Sequence, residues 1–163
     1  MLEDIIKERL KKREHLIAAG INPYPASVKR SVLIYEVIKE FAVLVKKGVK
    51  VTVVGRVFGM RDQGNLIFID LGDASGKIQV VLKKDNLKNF KEIKPALDIG
   101  DFLEVSGAAF KTTRGEKSIE AKSVQIITKA IRPIPSGWHG FKDVEERFRK
   151  RYLDLLLNNE IKD

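Results

Sequence analysis

Residues 53–82 read VVGRVFGMRDQGNLIFIDLGDASGKIQVVL, three β-rich runs separated by two turn signals. The first turn is Asp62-Gln63-Gly64-Asn65 and the second Gly72-Asp73-Ala74-Ser75-Gly76. Each run is short enough to be one strand of a tightly curled sheet, so the stretch predicts a three-stranded meander. Alternation assigns the faces. In the second run Ile67, Ile69 and Leu71 share one parity and point to the core, which leaves Leu66, Phe68 and Asp70 outside. In the third run Ile78, Val80 and Leu82 face inward, with Lys77, Gln79 and Val81 opposite. An aromatic ring and an amide, Phe68 and Gln79, are thereby expected on one exposed surface.

Downstream, Asp85 is the expected N-cap of a short helix on which Leu87, Phe90 and Ile93 recur at helical spacing. Two further strand-like runs follow, residues 102–111 and 117–127, joined by a hairpin-like turn at Thr113-Arg114-Gly115-Glu116. The order β-β-β-α-β-β predicts a mainly β chain built on a five-stranded Greek-key barrel, the OB-fold. In that fold the second and third strands and adjoining loops bind oligonucleotides or oligosaccharides.

Flanking segments divide the chain into an N-terminal helical extension (1–48), the barrel (49–130) and a linker with a C-terminal helix (131–163). In residues 2–19, Ile5, Ile6, Leu10, Leu16 and Ile17 make an apolar side that closes at Gly20. The other side is basic: Lys7, Lys11, Lys12 and Arg13 form either a phosphate-tracking face or a solvated one. Residues 20–25 (GINPYP) form an elbow that no helix can continue through. A second helix is expected over 31–47, burying Leu33, Val37, Ile38, Phe41, Leu44 and Val45 and stopping at Gly48. After the punctuated segment 131–140, Asp143 caps a third helix through Val144, Phe148, Tyr152, Leu153 and Leu156. That helix has no partner in a lone barrel, which suggests a piece of a larger protein.

Composition sets the classes. The 163 residues include 44% hydrophobic residues, enough for a globular core. The absence of cysteine removes disulfides, zinc ribbons and thiol nucleophiles. Residues 1–4 lack the flanks of a signal peptide, and no run is long enough to span a bilayer, so a cytoplasmic protein without a membrane partner is expected. The net charge is +9, and its excess sits near the N-terminus: 11 Lys and Arg face 6 Asp and Glu in residues 1–50. Such a surface suits a polyanion such as nucleic acid, or is simply solvated. Only His15 and His139 occur, far apart, which disfavours a metal site or a histidine-based triad. Residues 72–77 (GDASGK) imitate a phosphate-binding loop, but the glycines stand one position too close and Ile78 replaces the magnesium-binding hydroxyl, so the segment reads as a hairpin turn.

The chain resembles the N-terminal part of bacterial-type class II lysyl-tRNA synthetases over almost its full length. The resemblance rests on residues 20–25, Gly55-Arg56, Ile67-Phe68-Ile69, 76–79 (GKIQ) and 110–116 (FKTTRGE). It rests above all on Pro133-x-Pro135-x-x-Trp138-His139-Gly140, followed by 142–145 (KDVE) and 149–155 (RKRYLDL). Aspartyl and asparaginyl enzymes share the barrel and a version of the last run, but not the Trp-His-Gly segment. The resemblance implies that the barrel binds the anticodon stem-loop of tRNA(Lys), and that a homodimeric parent enzyme attaches lysine using ATP and magnesium. It places the anticodon site on Arg61, Phe68, Gln79 and Glu116. In that family the catalytic motifs follow the part of the chain matched by residues 1–163, so neither catalysis nor a cofactor is expected within them. Two alternatives stand: a free-standing single-strand-binding barrel, which needs neither the linker nor the last helix, and the equivalent domain of an aspartyl or asparaginyl enzyme.

Overall fold

Thirteen residues of β1 (Lys50–Asp62) build the curvature of the sheet, because the two ends of the strand pair with different neighbours. In this computed structural model, which describes residues 2–134 and 144–157, β1 pairs with β4 (Phe102–Lys111) from Lys50↔Ala108 to Arg56↔Phe102. It then pairs with β2 (Leu66–Gly72) from Arg56↔Gly72 to Asp62↔Ile67, with a bulge between Val57 and Gly59. A bulge adds twist and bend where a strand changes partners. β2 pairs with β3 (Lys77–Lys83), and β3 runs parallel to β5 (Lys117–Thr128) from Gln79↔Ser118 to Val81↔Glu120. With β4 antiparallel to β5, the order β1-β2-β3-β5-β4 closes as a barrel.

The expected core parity is found. Ile67, Ile69, Leu71, Ile78, Val80 and Leu82 are all buried. Val81 departs from expectation: it belongs to the outer face yet is buried, because it lies between Phe68 and Glu120 in the register. The segment after β3 is also rearranged. Asp85 caps no helix; residues Lys84–Asn86 form a 3₁₀ turn, and helix α4 begins at Phe90 and runs to Ala96. Leu87, Phe90 and Ile93 still enter the barrel core, as their spacing predicts.

The N-terminal helices deviate more. The helix expected over 31–47 starts late and divides at Glu40 into α2 (Ile34–Lys39) and α3 (Phe41–Lys47), which ends at Gly48. Ser31 is committed to the sheet instead: its N–H donates to the Thr52 carbonyl (2.9 Å), and its hydroxyl accepts from the Thr52 N–H (2.8 Å). Val37 and Phe41 are buried as expected, whereas Leu33 and Val45 are exposed and Ile34 is buried in their stead. Helix α1 (Leu2–Ala18) buries Leu16 but exposes Ile5 and Ile17. It buries Arg9, whose guanidinium donates to the carbonyls of Ile99 (3.0 Å), Ala130 (3.1 Å) and Arg132 (3.3 Å).

The chain separates into two compact units, Met1–Pro133 and Ile134–Asp163. In the second, the expected C-terminal helix is two short ones, α5 (Val144–Arg149) and α6 (Arg151–Leu157), with Phe148 and Tyr152 exposed. Asp143, Trp138 and His139 lie outside the described residues. No helix among the described residues is long and apolar enough to cross a membrane.

The segment that imitates a phosphate loop is a hairpin turn, as expected, and its polar atoms are spent on the protein. Asp73 accepts from the Ser75 N–H (2.7 Å), the Ser75 hydroxyl (2.6 Å) and the Gly76 N–H (3.1 Å). Its second oxygen accepts from the Ile34 N–H (3.1 Å), and Ser75 Oγ accepts from the Tyr35 N–H (3.0 Å). A turn between two strands thus caps a helix some 40 residues earlier in the chain. Burial opposes ionisation of Asp73, but these hydrogen bonds outweigh it and hold the carboxyl below its ordinary value. A depressed carboxyl stabilises the fold above its unfolded-state pKa, and the contribution is lost as pH falls through the folded-state value. Asp73→Ala is therefore expected to cost about 1 to 2 kcal/mol at neutral pH, the worth of a helix cap. The gap between the two proteins in urea titrations should close in acid; a gap that persists unchanged there would show that the carboxylate charge is not what matters.

Candidate nucleic-acid interface

Outward parity, the β1 bulge and the β4–β5 turn bring the site together. The bulge restores Arg61 to the outer face, opposite Phe68 of β2, and its guanidinium carbon lies 5.8 Å from the centre of the Phe68 ring. A cation at that distance is attracted to the ring face. One row along, Gly59, Asp70 and Gln79 are successive partners across β1, β2 and β3, and Gln79 is followed by Ser118 of β5. Glu116 stands two residues before Ser118, at the mouth of β5.

Two turns fix the rims. Beside Arg61, the Asp62 carboxylate accepts from the Gly64 N–H (2.8 Å) and from the Lys94 ammonium (2.9 Å), which also donates to the Gly64 carbonyl (2.7 Å). The hydrogen bond from Lys94, then that from Gly64, pulls the Asp62 carboxyl below its ordinary value. Before Glu116, the Gly115 N–H donates to the Thr112 carbonyl (2.8 Å) with Gly115 at φ +86°, a conformation that disfavours any side chain. The Glu116 N–H donates to the Thr112 hydroxyl (3.0 Å), and the Thr112 N–H to the Glu116 carbonyl (3.0 Å).

Between these rims lies an open cavity of about 540 Å³ lined by Arg61, Gln63, Phe68, Asp70, Gln79, Thr112, Thr113, Arg114 and Glu116. The four residues on which the resemblance places an anticodon site, Arg61, Phe68, Gln79 and Glu116, share this one cavity. Among the described residues, the side chains of Arg61, Asp70, Gln79, Arg114 and Glu116 make no hydrogen bond or ion pair. The site therefore holds a half-buried aromatic ring surrounded by polar groups whose hydrogen-bonding capacity is unspent. Asp70 and Arg114 join the site only in three dimensions, although Asp70 shares the parity of Phe68. The lysines of α1 separate: Lys7 and Lys11 are exposed, Lys11 beside Glu8 (2.9 Å), whereas the Lys12 ammonium is half-buried against Asp98 (2.6 Å). No group of three or more His, Cys, Asp or Glu among the described residues is arranged to hold a metal.

Residues 51–127 match the tRNA anti-codon family model, described as an OB-fold nucleic acid binding domain. The barrel is an OB-fold domain. Over 99% of its length the chain is 41% identical to a lysine–tRNA ligase of Roseiflexus castenholzii, and over 99% it is 40% identical to that of Bacillus subtilis. A lysine–tRNA ligase 2 of Methanosarcina mazei is 40% identical over 93% of the chain. The chain spans 34%, 34% and 30% of the Roseiflexus, Bacillus and Methanosarcina proteins, about a third of their length. It is homologous to the N-terminal regions of lysyl-tRNA synthetases, and the OB domain occupies the middle of the homologous stretch.

Proposed function

We propose that this OB domain reads the anticodon of tRNA(Lys), within a parent enzyme that joins lysine to that tRNA with ATP and magnesium in the cytoplasm as a homodimer. The observation that carries the reading is the convergence of Arg61, Phe68, Gln79 and Glu116 on one cavity with uncommitted polar groups. Single-stranded RNA in a loop can splay its bases onto an aromatic ring and expose their Watson–Crick edges to side chains. Phe68 offers the ring, and Gln79, the register partner of Ser118 in β5, offers an amide at the cavity floor. Arg61 and Arg114 supply positive charge at the rims. Lys7 and Lys11 of α1, both exposed, serve the tRNA backbone; Lys12, engaged by Asp98, is the weakest member of the basic set.

The experiment compares two RNA stem-loops that differ only in the middle anticodon base, uracil or cytosine, at one fixed salt concentration. Gln79→Ala is expected to weaken the uracil loop roughly 5- to 10-fold, the ~1 to 1.5 kcal/mol of net hydrogen bonding an amide supplies, and to leave the cytosine loop nearly unchanged. Equal losses on both loops would remove Gln79 as the reader of that base. No measurable preference of the unsubstituted protein for a lysine anticodon loop would sink the function itself.

A further inference from the structure

The geometry points to Asp70 as a second reader of the middle base, the residue that sets the sense in which Gln79 is used. This inference rests on the anticodon reading above. Asp70 is the register partner of Gln79, lines the same cavity and forms no hydrogen bond or ion pair among the described residues. Its carboxylate lies over Gly59 of β1, where a Cβ would come within 2.5 Å of Asp70 Oδ2. A glycine at that point leaves the carboxylate room on the cavity floor. Phe68 is two residues away on the same face of β2, about 6.6 Å along the strand, so a base stacked on its ring turns an edge toward this row.

The chemistry of the two side chains makes the assignment. Uracil presents an N3–H donor flanked by carbonyl acceptors; cytosine presents an N3 acceptor beside an amino donor. An amide carries a donor and an acceptor on one planar group and can turn over about its last torsion. Gln79 alone therefore satisfies either pyrimidine, in one sense or the other. A carboxylate cannot turn over, since both of its oxygens only accept. With Asp70 taking the N3–H, the Gln79 NH₂ is left to donate to a uracil carbonyl. Cytosine held in the same place turns its N3 lone pair on the carboxylate, so an acceptor meets an acceptor where uracil donates a hydrogen bond. In a protein of net charge +9, a carboxylate here also repels phosphate, so the cavity takes a base and not the backbone.

The test uses the full chain with the two stem-loops above. Asp70→Asn keeps the shape of the side chain but makes it an amide that can turn over. It is expected to hold affinity for the uracil loop within about twofold and to strengthen the cytosine loop about tenfold, so discrimination falls by about that factor. Gln79→Ala loses discrimination from the opposite side, through the uracil loop. Asp70→Ala, with circular dichroism confirming the fold of both variants, should lose discrimination as well. If Asp70→Asn strengthens both loops in parallel, only a repulsive charge has been removed and the inference is overturned while the anticodon reading stands. If the unsubstituted protein binds neither loop, the anticodon reading fails and the inference falls with it.

Discussion

Phe68→Ala is expected to weaken binding of a lysine anticodon stem-loop about 5- to 150-fold, and to do so whichever base stands at the middle position. Stacking on an aromatic ring is worth about 1 to 3 kcal/mol per base and tolerates any base, because every base has a π-face. The ring is free to be used in this way: it is half-buried, stands outside the buried core cluster and borders the cavity beside Arg61. Stability should therefore change little, since the ring's inner neighbours Ile67 and Ile69 keep the core filled. Phe68 supplies affinity where Gln79 and Asp70 supply discrimination, so the Phe68→Ala protein should keep its uracil-to-cytosine ratio while both affinities fall. Fluorescence anisotropy with both loops, alongside a thermal melt, separates the possibilities. A variant that melts far below the parent but binds normally when folded would make the ring a core residue.

The contrast between what parity reveals and what it does not has a physical cause. On β2 and β3 each side chain's environment is set by its own strand, one face wet and one dry, so alternation alone places Phe68 and Gln79. Asp70 shares the outer parity of Phe68 yet carries no signal, because a carboxylate on a solvated strand face is ordinary until its neighbours are known. Its neighbours, Gly59 and Gln79, come from two other strands through a register that a bulge shifts by one residue. The helices escape local pattern for a related reason. Helix α1 has an amphipathic sequence, but the groups it meets include backbone carbonyls at Ile99, Ala130 and Arg132, so a long guanidinium suits the contact better than Ile5 or Ile17. Helix α2 begins where Asp73 and Ser75 cap it, and those caps lie 39 and 40 positions along the chain. Local patterns see neither partner.

A polar clamp equally hidden from the sequence gives the largest expected effect on stability. Lys129, just past β5, is buried, its side chain 0% exposed, and its ammonium donates to Asp98 (2.6 Å) and to both oxygens of Asp101 (3.0 and 2.9 Å). Asp101, also 0% exposed, accepts in addition from the N–H groups of Ala130 and Asp98, each at 2.8 Å. The other Asp98 oxygen takes Lys12 of α1, and the Tyr24 hydroxyl of the N-terminal elbow donates to the Lys129 carbonyl (2.9 Å). The cluster thus ties α1 and the elbow to the strands of the barrel. Removing one member of a buried ion pair leaves an uncompensated charge, at a cost of about 3 to 5 kcal/mol, a large fraction of a domain's total stability. Lys129→Ala should therefore show that loss in urea denaturation at neutral pH with little change in the dependence on urea. Acid distinguishes the cause. Burial already pushes the Asp101 carboxyl above its ordinary value, against the pull of Lys129, and without Lys129 that pull is gone. A carboxyl raised in the folded state contributes stability that is fully present below its unfolded-state pKa and is lost as pH rises through the folded-state value. The deficit of Lys129→Ala should accordingly shrink as pH is lowered toward the ordinary carboxylate range, where Asp101 is neutral. Replacing Asp101 by asparagine in the same variant should reproduce part of that recovery at neutral pH: the amide carries no charge and its oxygen still accepts from one of the two backbone N–H groups, while its NH₂ leaves the other without an acceptor. A deficit that is the same at every pH, and unmoved by the asparagine, would assign the loss to the cavity left by the lysine stem and not to the stranded carboxylate.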